Sequence, residues 1–141
     1  LSAPASTARR KAESAGRWGE WAAGALLLAK GYALVGRRVR TGAGEIDLIA
    51  RRGRWLAFVE VKTRPRGAGV PVLARRQRER IERAASLWCA GRAWTGNVGW
   101  RYDLVCVSPW RLPVHIPDAW RPESDPALSP AGPWRQGGAR R

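Results

Sequence analysis

Acidic side chains are scarce in this sequence: 11 Asp and Glu stand against 26 Lys and Arg, a formal net charge of +15. So large an imbalance exceeds what solubility needs and implies an anionic partner, nucleic acid before a membrane surface, because no helix pairs a basic face with a large apolar one. Long apolar runs are also lacking. The longest, Ala22 to Ala29, is too short to span a bilayer and meets Lys30-Gly31. Trp18, Gly19, Glu20 and Trp21 lead into it at helical spacing, which argues against the h-region of a signal peptide. Only two cysteines occur, Cys89 and Cys106, in apolar surroundings and without the paired spacing of a zinc knuckle. Buried free thiols in a reducing cytoplasm are the expectation, so the protein is expected to be cytoplasmic. The single histidine, His115 in Pro113-Val114-His115-Ile116, reads as a structural or exposed side chain rather than a ligand.

What is present suffices for one core, since 45% of the 141 residues are hydrophobic. Residues 1–13 are small, polar and basic and read as a disordered arm; residues 121–141, rich in proline and glycine, read as a disordered tail. The domain is expected over 14–120. Between them, positions 20–120 carry eighteen basic and eight acidic residues, so the excess belongs to the domain itself.

The spacing predicts a helix from Ser14 to Lys30, with Trp18, Trp21, Ala22, Ala25, Leu28 and Ala29 on its buried face, Glu20 beside that face and Gly31 as its stop. Strands follow at Tyr32–Arg40, Glu45–Arg51 and Trp55–Thr63, separated by turn signals at Thr41-Gly42-Ala43-Gly44 and Arg52-Gly53-Arg54. A second helix over Ala74–Ala90 places Gln77, Ile81, Ala84, Ala85 and Trp88 on one stripe, with Arg76, Arg80 and Arg83 alongside and Glu79 set to pair with Arg83. Trp100–Ser108 reads as a fourth strand and Leu112–Ile116 as a weaker fifth. The fold class is therefore α/β: a mixed sheet of four to five strands, beginning with a helix and an antiparallel meander and flanked by helices.

Glu45, Asp47 and Ile49 alternate with Ile46, Leu48 and Ala50, while Phe58, Glu60 and Lys62 alternate with Ala57, Val59 and Val61. A turn centred on Gly53-Arg54 aligns the apolar faces and sets Asp47 opposite Glu60, Glu45 opposite Lys62 and Ile49 opposite Phe58. Facing carboxylates repel, and a sheet gains nothing from them unless a divalent cation reverses the sign. Hard oxygen donors suit Mg²⁺ or Mn²⁺, with phosphate and water completing the shell. Lys62 on the same face is placed to position or deprotonate water, or to steady charge developing on phosphorus. Three of the eight acidic residues in 20–120 fall on this one patch.

The segments Gly44-Glu45-Ile46-Asp47-Leu48-Ile49-Ala50 and Phe58-Val59-Glu60-Val61-Lys62-Thr63-Arg64 resemble the signature of the bacterial YraN family. That family is similar in turn to archaeal Holliday junction resolvases and to the restriction-endonuclease-like PD-(D/E)xK superfamily. The likeness covers residues 16–107, including Gly16-Arg17-Trp18-Gly19-Glu20 and Arg101-Tyr102-Asp103. It implies a restriction-endonuclease-like core and a metal site of Asp47 and Glu60, with Glu20 reaching in from the first helix, Lys62 catalytic and Glu45 auxiliary. At the start of the second helix, where the family often has lysine, Gln77 stands as the site residue, and no cationic role follows there. Relatives that cut junctions symmetrically act as dimers, which brings a homodimer into consideration.

Arg64, Arg66, Arg76, Arg80 and Arg83 are the expected phosphate contacts, weighed against a merely solvated helix face. Trp18, Trp21, Trp55 and Trp88 read as packing; Trp94, Trp100 and Trp110, near strand ends and loops, are the candidates for base stacking. The leading function is a metal-dependent endonuclease acting on nucleic acid, DNA first and branched DNA among its forms. The competing one is a non-catalytic nucleic-acid-binding module on the same scaffold. A third is an adaptor working through the Pro-rich tail.

Overall fold

The computed structural model describes residues 3–123, with side chains from Gly16 onward. Its elements run α1 (Ala3–Ala29), β1 (Ala33–Thr41), β2 (Gly44–Arg52), β3 (Trp55–Thr63), α2 (Arg75–Ala90), a 3-10 turn (Ala93–Asn97), β4 (Gly99–Val107) and β5 (Val114–Trp120). Helix α1 begins well before Ser14, drawing in a stretch expected to lack regular structure. That stretch has no apolar period, but its Ala, Arg, Lys and Glu residues are strong helix formers. The expected tail falls, from residue 124 on, outside the described residues. Among the described residues no helix is long and apolar enough to cross a membrane.

The five strands form one sheet in the order β1-β2-β3-β4-β5. Strands β1, β2 and β3 make the antiparallel meander; β4 then lies parallel to β3 and β5 returns antiparallel to β4. A parallel neighbour needs a crossover, and α2 supplies it. The sheet is mixed, as expected, and sits between α1 and α2, an arrangement consistent with a nuclease-like core. On the α2 side Phe58 stacks on Tyr102 at 5.7 Å and meets Trp88 and Trp100 edge-on at 6.3 and 5.8 Å. Full burial of such a side chain contributes about 1.5–3 kcal/mol, so this aromatic nucleus anchors the crossover helix to the sheet.

The face that α1 buries differs from the expected one. Gly19, Ala22, Ala23, Gly24 and Leu27 are buried, whereas Trp18, Trp21, Ala25 and Leu28 are exposed. The reason is distance: a Cβ on Gly19 would lie 2.9 Å from Thr63 Oγ1, so the helix rests so close to β3 that only small side chains fit between them. Tryptophans are driven to the outer face. The helix ends as expected at Gly31, whose φ of +87° lets Tyr32 N–H close back on the Leu27 carbonyl at 3.0 Å.

Strand β5 is longer than expected and includes Pro117, which an interior strand would not accept. As the sheet edge it tolerates the missing N–H, and the pairing shifts there between Tyr102 and Leu104. Trp55 and Trp88 sit within the fold, as expected of packing residues. Trp100 also belongs to the core, contrary to a stacking role: it packs on Phe58 and its Nε1–H donates to the Thr95 carbonyl at 2.9 Å. Trp94 meets Trp88 edge-on at 6.0 Å with Arg51 over its ring, leaving Trp110 as the only fully exposed one of those three. Cys89 and Cys106 are free and buried, as expected.

Candidate active site on the opened hairpin

The β2–β3 ladder starts at Arg52/Trp55 and pairs Ile49 with Phe58 in the expected register, but it ends at Leu48/Val59. Formal pairing thus stops one residue short of Asp47 and Glu60. Beyond it the strands part, and the Asp47 carboxylate takes the place of a backbone partner, with Oδ2 accepting the Val61 N–H at 2.8 Å. Strand β1 is irregular at the same level. Arg38, bracketed by the pairs Arg37/Leu48 and Val39/Ile46, has a φ of +46°, an uncommon conformation for a residue with a side chain. Ile46 and Ile49 pack in one cluster despite their odd separation, so β2 itself departs from strict alternation around Asp47. The hairpin therefore opens where the carboxylates lie.

Glu60 is the hub of the opening. Its Oε1 accepts the Gln77 amide N–H at 3.0 Å and lies 3.5 Å from Lys62 Nζ. Burial, then the Asp47 charge, pushes Glu60 up to about 7 from an ordinary 4.5, against the opposing pull of Lys62. Asp47 is raised too, by burial first and by the charges of Glu20 and Glu45, although the Val61 N–H works the other way. The two carboxyls resist ionising together. Such a pair is under-neutralised by the protein and chemically prepared for a cation or a shared proton.

Glu20 reaches the same neighbourhood from α1 but is held by Arg38, whose Nε lies 2.5 Å from its Oε2. It adds charge to the site. Among the described residues, however, no group of three or more His, Cys, Asp and Glu gathers closely enough to grip an ion. The donor set is thus two carboxylates, Asp47 and Glu60, which fits Mg²⁺ or Mn²⁺ when phosphate and water supply the remaining oxygens. Glu45 is exposed at the rim, and its charge is felt by both Asp47 and Arg38.

The expected arginines take different places. Arg80 is exposed and lays its aliphatic stem against Gly44, where a Cβ would meet Arg80 Cγ at 2.7 Å, so α2 delivers one cation beside the Glu45 end of β2. Arg76 and Arg83 are exposed on the same helix, and none of the three makes an ion pair among the described residues. Glu79 pairs with Arg75 at 3.0 Å rather than with Arg83; both are one helical turn away, and the Arg75 guanidinium also bridges to Glu123. Arg66 is exposed, while Arg64 is half-buried with its N–H on the Val107 carbonyl at 2.8 Å and its Nε without a partner among the described residues.

Sequence reasoning missed Arg38. Counting back through the Thr41–Gly44 turn would have set it across from Asp47, between the pairs observed on either side. It also missed a second carboxylate cluster at Asp103. Fully buried, Asp103 accepts Arg101 Nε at 2.8 Å, the Asp118 N–H at 3.0 Å and His115 Nε2 at 2.8 Å. Lys30 Nζ donates to His115 Nδ1 at 2.5 Å; an ammonium only donates, so the imidazole proton sits on Nε2, facing Asp103. His115 is structural, one of the two roles expected of it.

Fold and geometry together define an α/β protein with a carboxylate–lysine site on an opened hairpin. The chain belongs to the Uncharacterised protein family UPF0102, whose model matches residues 19–107, and the YraN likeness drawn from the residues is borne out. It is 54% identical over 116 residues to a UPF0102 protein of Maricaulis maris, covering 82% of this chain and 91% of that one. It is similar as well to UPF0102 proteins of Paramagnetospirillum magneticum, at 46% over 85% and 97% of the two chains, and of Mesorhizobium japonicum, at 46% over 82% and 93%.

Proposed function

We propose that this chain binds nucleic acid and hydrolyses its phosphodiester backbone with a divalent cation held by Asp47 and Glu60. The observation that carries the reading is the pair itself: two half-buried carboxyls on neighbouring strands, both raised in pKa and flanked by Lys62, in a chain of net charge +15. Mg²⁺ or Mn²⁺, when bound, supplies Lewis-acid polarisation of a phosphoryl oxygen. The protein does the positioning. Val61 N–H fixes the Asp47 carboxylate and Gln77 fixes Glu60, so both face the gap left by the parted strands. Lys62 brings an ammonium to where charge gathers on phosphorus as water adds and a P–O bond breaks. Arg76, Arg80 and Arg83 bind backbone phosphates along α2, with DNA the first candidate. Free buried thiols suit a cytoplasmic setting.

The test is cleavage of labelled single-stranded, duplex, flap and four-way-junction DNA with Mn²⁺, comparing wild type with Asp47→Ala, Glu60→Ala and Lys62→Ala. Cutting by wild type alone, with binding kept in the variants, is the expected result; identical trace nicking by all four would mean contamination. A second reading, a binding module without catalysis, is favoured by the protein's own cations at the site, since Arg38 holds Glu20 and Lys62 lies against Glu60. Salt-sensitive binding with no carboxylate-dependent Mn²⁺ uptake would select it.

A further inference from the structure

The outward tryptophans of α1 do not belong to the core they were expected to fill. Trp18 and Trp21, 51% and 64% exposed, stand three residues apart on one side of the helix and wall a cleft of about 740 Å³. Arg17, Arg37 and Arg38 complete its lining, all three exposed, and the one acid in it, Glu20, is already held by Arg38. The cleft is thus aromatic and cationic at once. It adjoins the carboxylate pair, because Arg38, which is paired with Glu20, stands across from Asp47 between the β1–β2 pairs Arg37/Leu48 and Val39/Ile46.

Each feature selects against other occupants. Duplex DNA presents phosphates but keeps its base faces stacked and out of reach, so a duplex would use the arginines and leave the indoles in water. A purely apolar partner would leave three arginines unmatched. Unpaired bases on a phosphate backbone satisfy both parts, with indole faces for the bases and guanidinium groups for the phosphates. Resting on the nuclease reading above, we propose that Trp18 and Trp21 form a stacking platform for an unpaired strand running into the Asp47–Glu60 site, so that the substrate is nucleic acid with a single-stranded segment beside the point of cutting.

The experiment measures binding in EDTA, so that cleavage plays no part, by fluorescence anisotropy of a labelled oligo-dT and of a blunt duplex of equal length. The probes are compared on wild type, the double variant Trp18→Ala/Trp21→Ala and the double variant Trp18→Phe/Trp21→Phe. The expected result is a loss of roughly tenfold or more for oligo-dT in the double alanine variant. Duplex binding should change less than about twofold, and the phenylalanine variant should retain most of the affinity. Equal effects on both probes, or none on either, would overturn the platform while leaving the nuclease reading intact. Absence of binding to either probe by wild type would overturn both. If wild type sediments as a dimer that the alanine variant converts to monomer, with oligo-dT affinity unchanged, a second copy of the chain is the occupant and the platform fails.

Discussion

The molecule carries two carboxylate clusters built to opposite specifications. At Asp103 a fully buried carboxylate meets Arg101, His115 and a backbone N–H, and although burial alone would push it up, the hydrogen bonds from His115 and Arg101 hold it below the ordinary carboxylate range. At Asp47 and Glu60 burial raises two less buried carboxyls, and the Asp47 charge raises Glu60 further. The first cluster satisfies its charge within the fold and ties the turn after α1 to β4 and β5. The second sets two carboxyls beside one ammonium, Lys62 at 3.5 Å from Glu60. The neighbouring charge also differs in sign, the Arg101 guanidinium at Asp103 against a second carboxyl at Glu60.

The largest expected contrast is in activity. Asp47→Ala and Glu60→Ala should each reduce Mn²⁺-dependent cleavage to below about 1% of wild type without loss of fold, measured as initial rates beside circular dichroism melts. The corresponding change in the other cluster should act in reverse. Asp103→Ala leaves Arg101 buried without its partner and should cost about 3–5 kcal/mol in urea unfolding, while the folded fraction still cleaves. Comparable losses of stability at both clusters would erase the distinction.

pH sharpens the same contrast. Because Glu60 is raised from 4.5 to about 7, the folded chain holds a proton there that the unfolded chain has released within that window. Metal-free stability should therefore fall as pH rises from about 4.5 to about 7, by up to about 3 kcal/mol, and Glu60→Gln should flatten the slope. Asp103, being lowered, contributes stability that is complete above the ordinary aspartate range and is lost as pH falls through its folded value. Unfolding free energies from pH 3 to pH 8 on wild type, Glu60→Gln and Asp103→Asn separate the two. The smallest effect concerns orientation. Gln77→Leu removes the amide that steers Glu60 and should weaken Mn²⁺ binding about tenfold, with little change in oligonucleotide affinity in EDTA.

Much of this site was legible in the sequence because strand alternation and one tight turn determine register: Ile49 meets Phe58 as the turn at Gly53 requires. Sequence could not show that the ladder opens at Asp47, since the opening depends on a side chain replacing a backbone partner and on the twist at Arg38. The buried face of α1 was misread for a related reason. Hydrophobic periodicity favours large residues, whereas Gly19 beside Thr63 shows that close approach selects small ones. The Asp103 cluster was not legible as a cluster, although Arg101-Tyr102-Asp103 and the single histidine each stood out, because only the pairing of β4 with β5 brings them together. What tertiary contact decides, periodicity does not carry.

A calorimetric Mn²⁺ titration of wild type and Glu60→Gln at pH 7.5 tests the opened hairpin as a cation site. Wild type should bind with release of protons as the Glu60 carboxyl ionises, and the variant should not bind. Equal binding to both proteins, or none to wild type, would contradict the claim that the opened hairpin is a cation site.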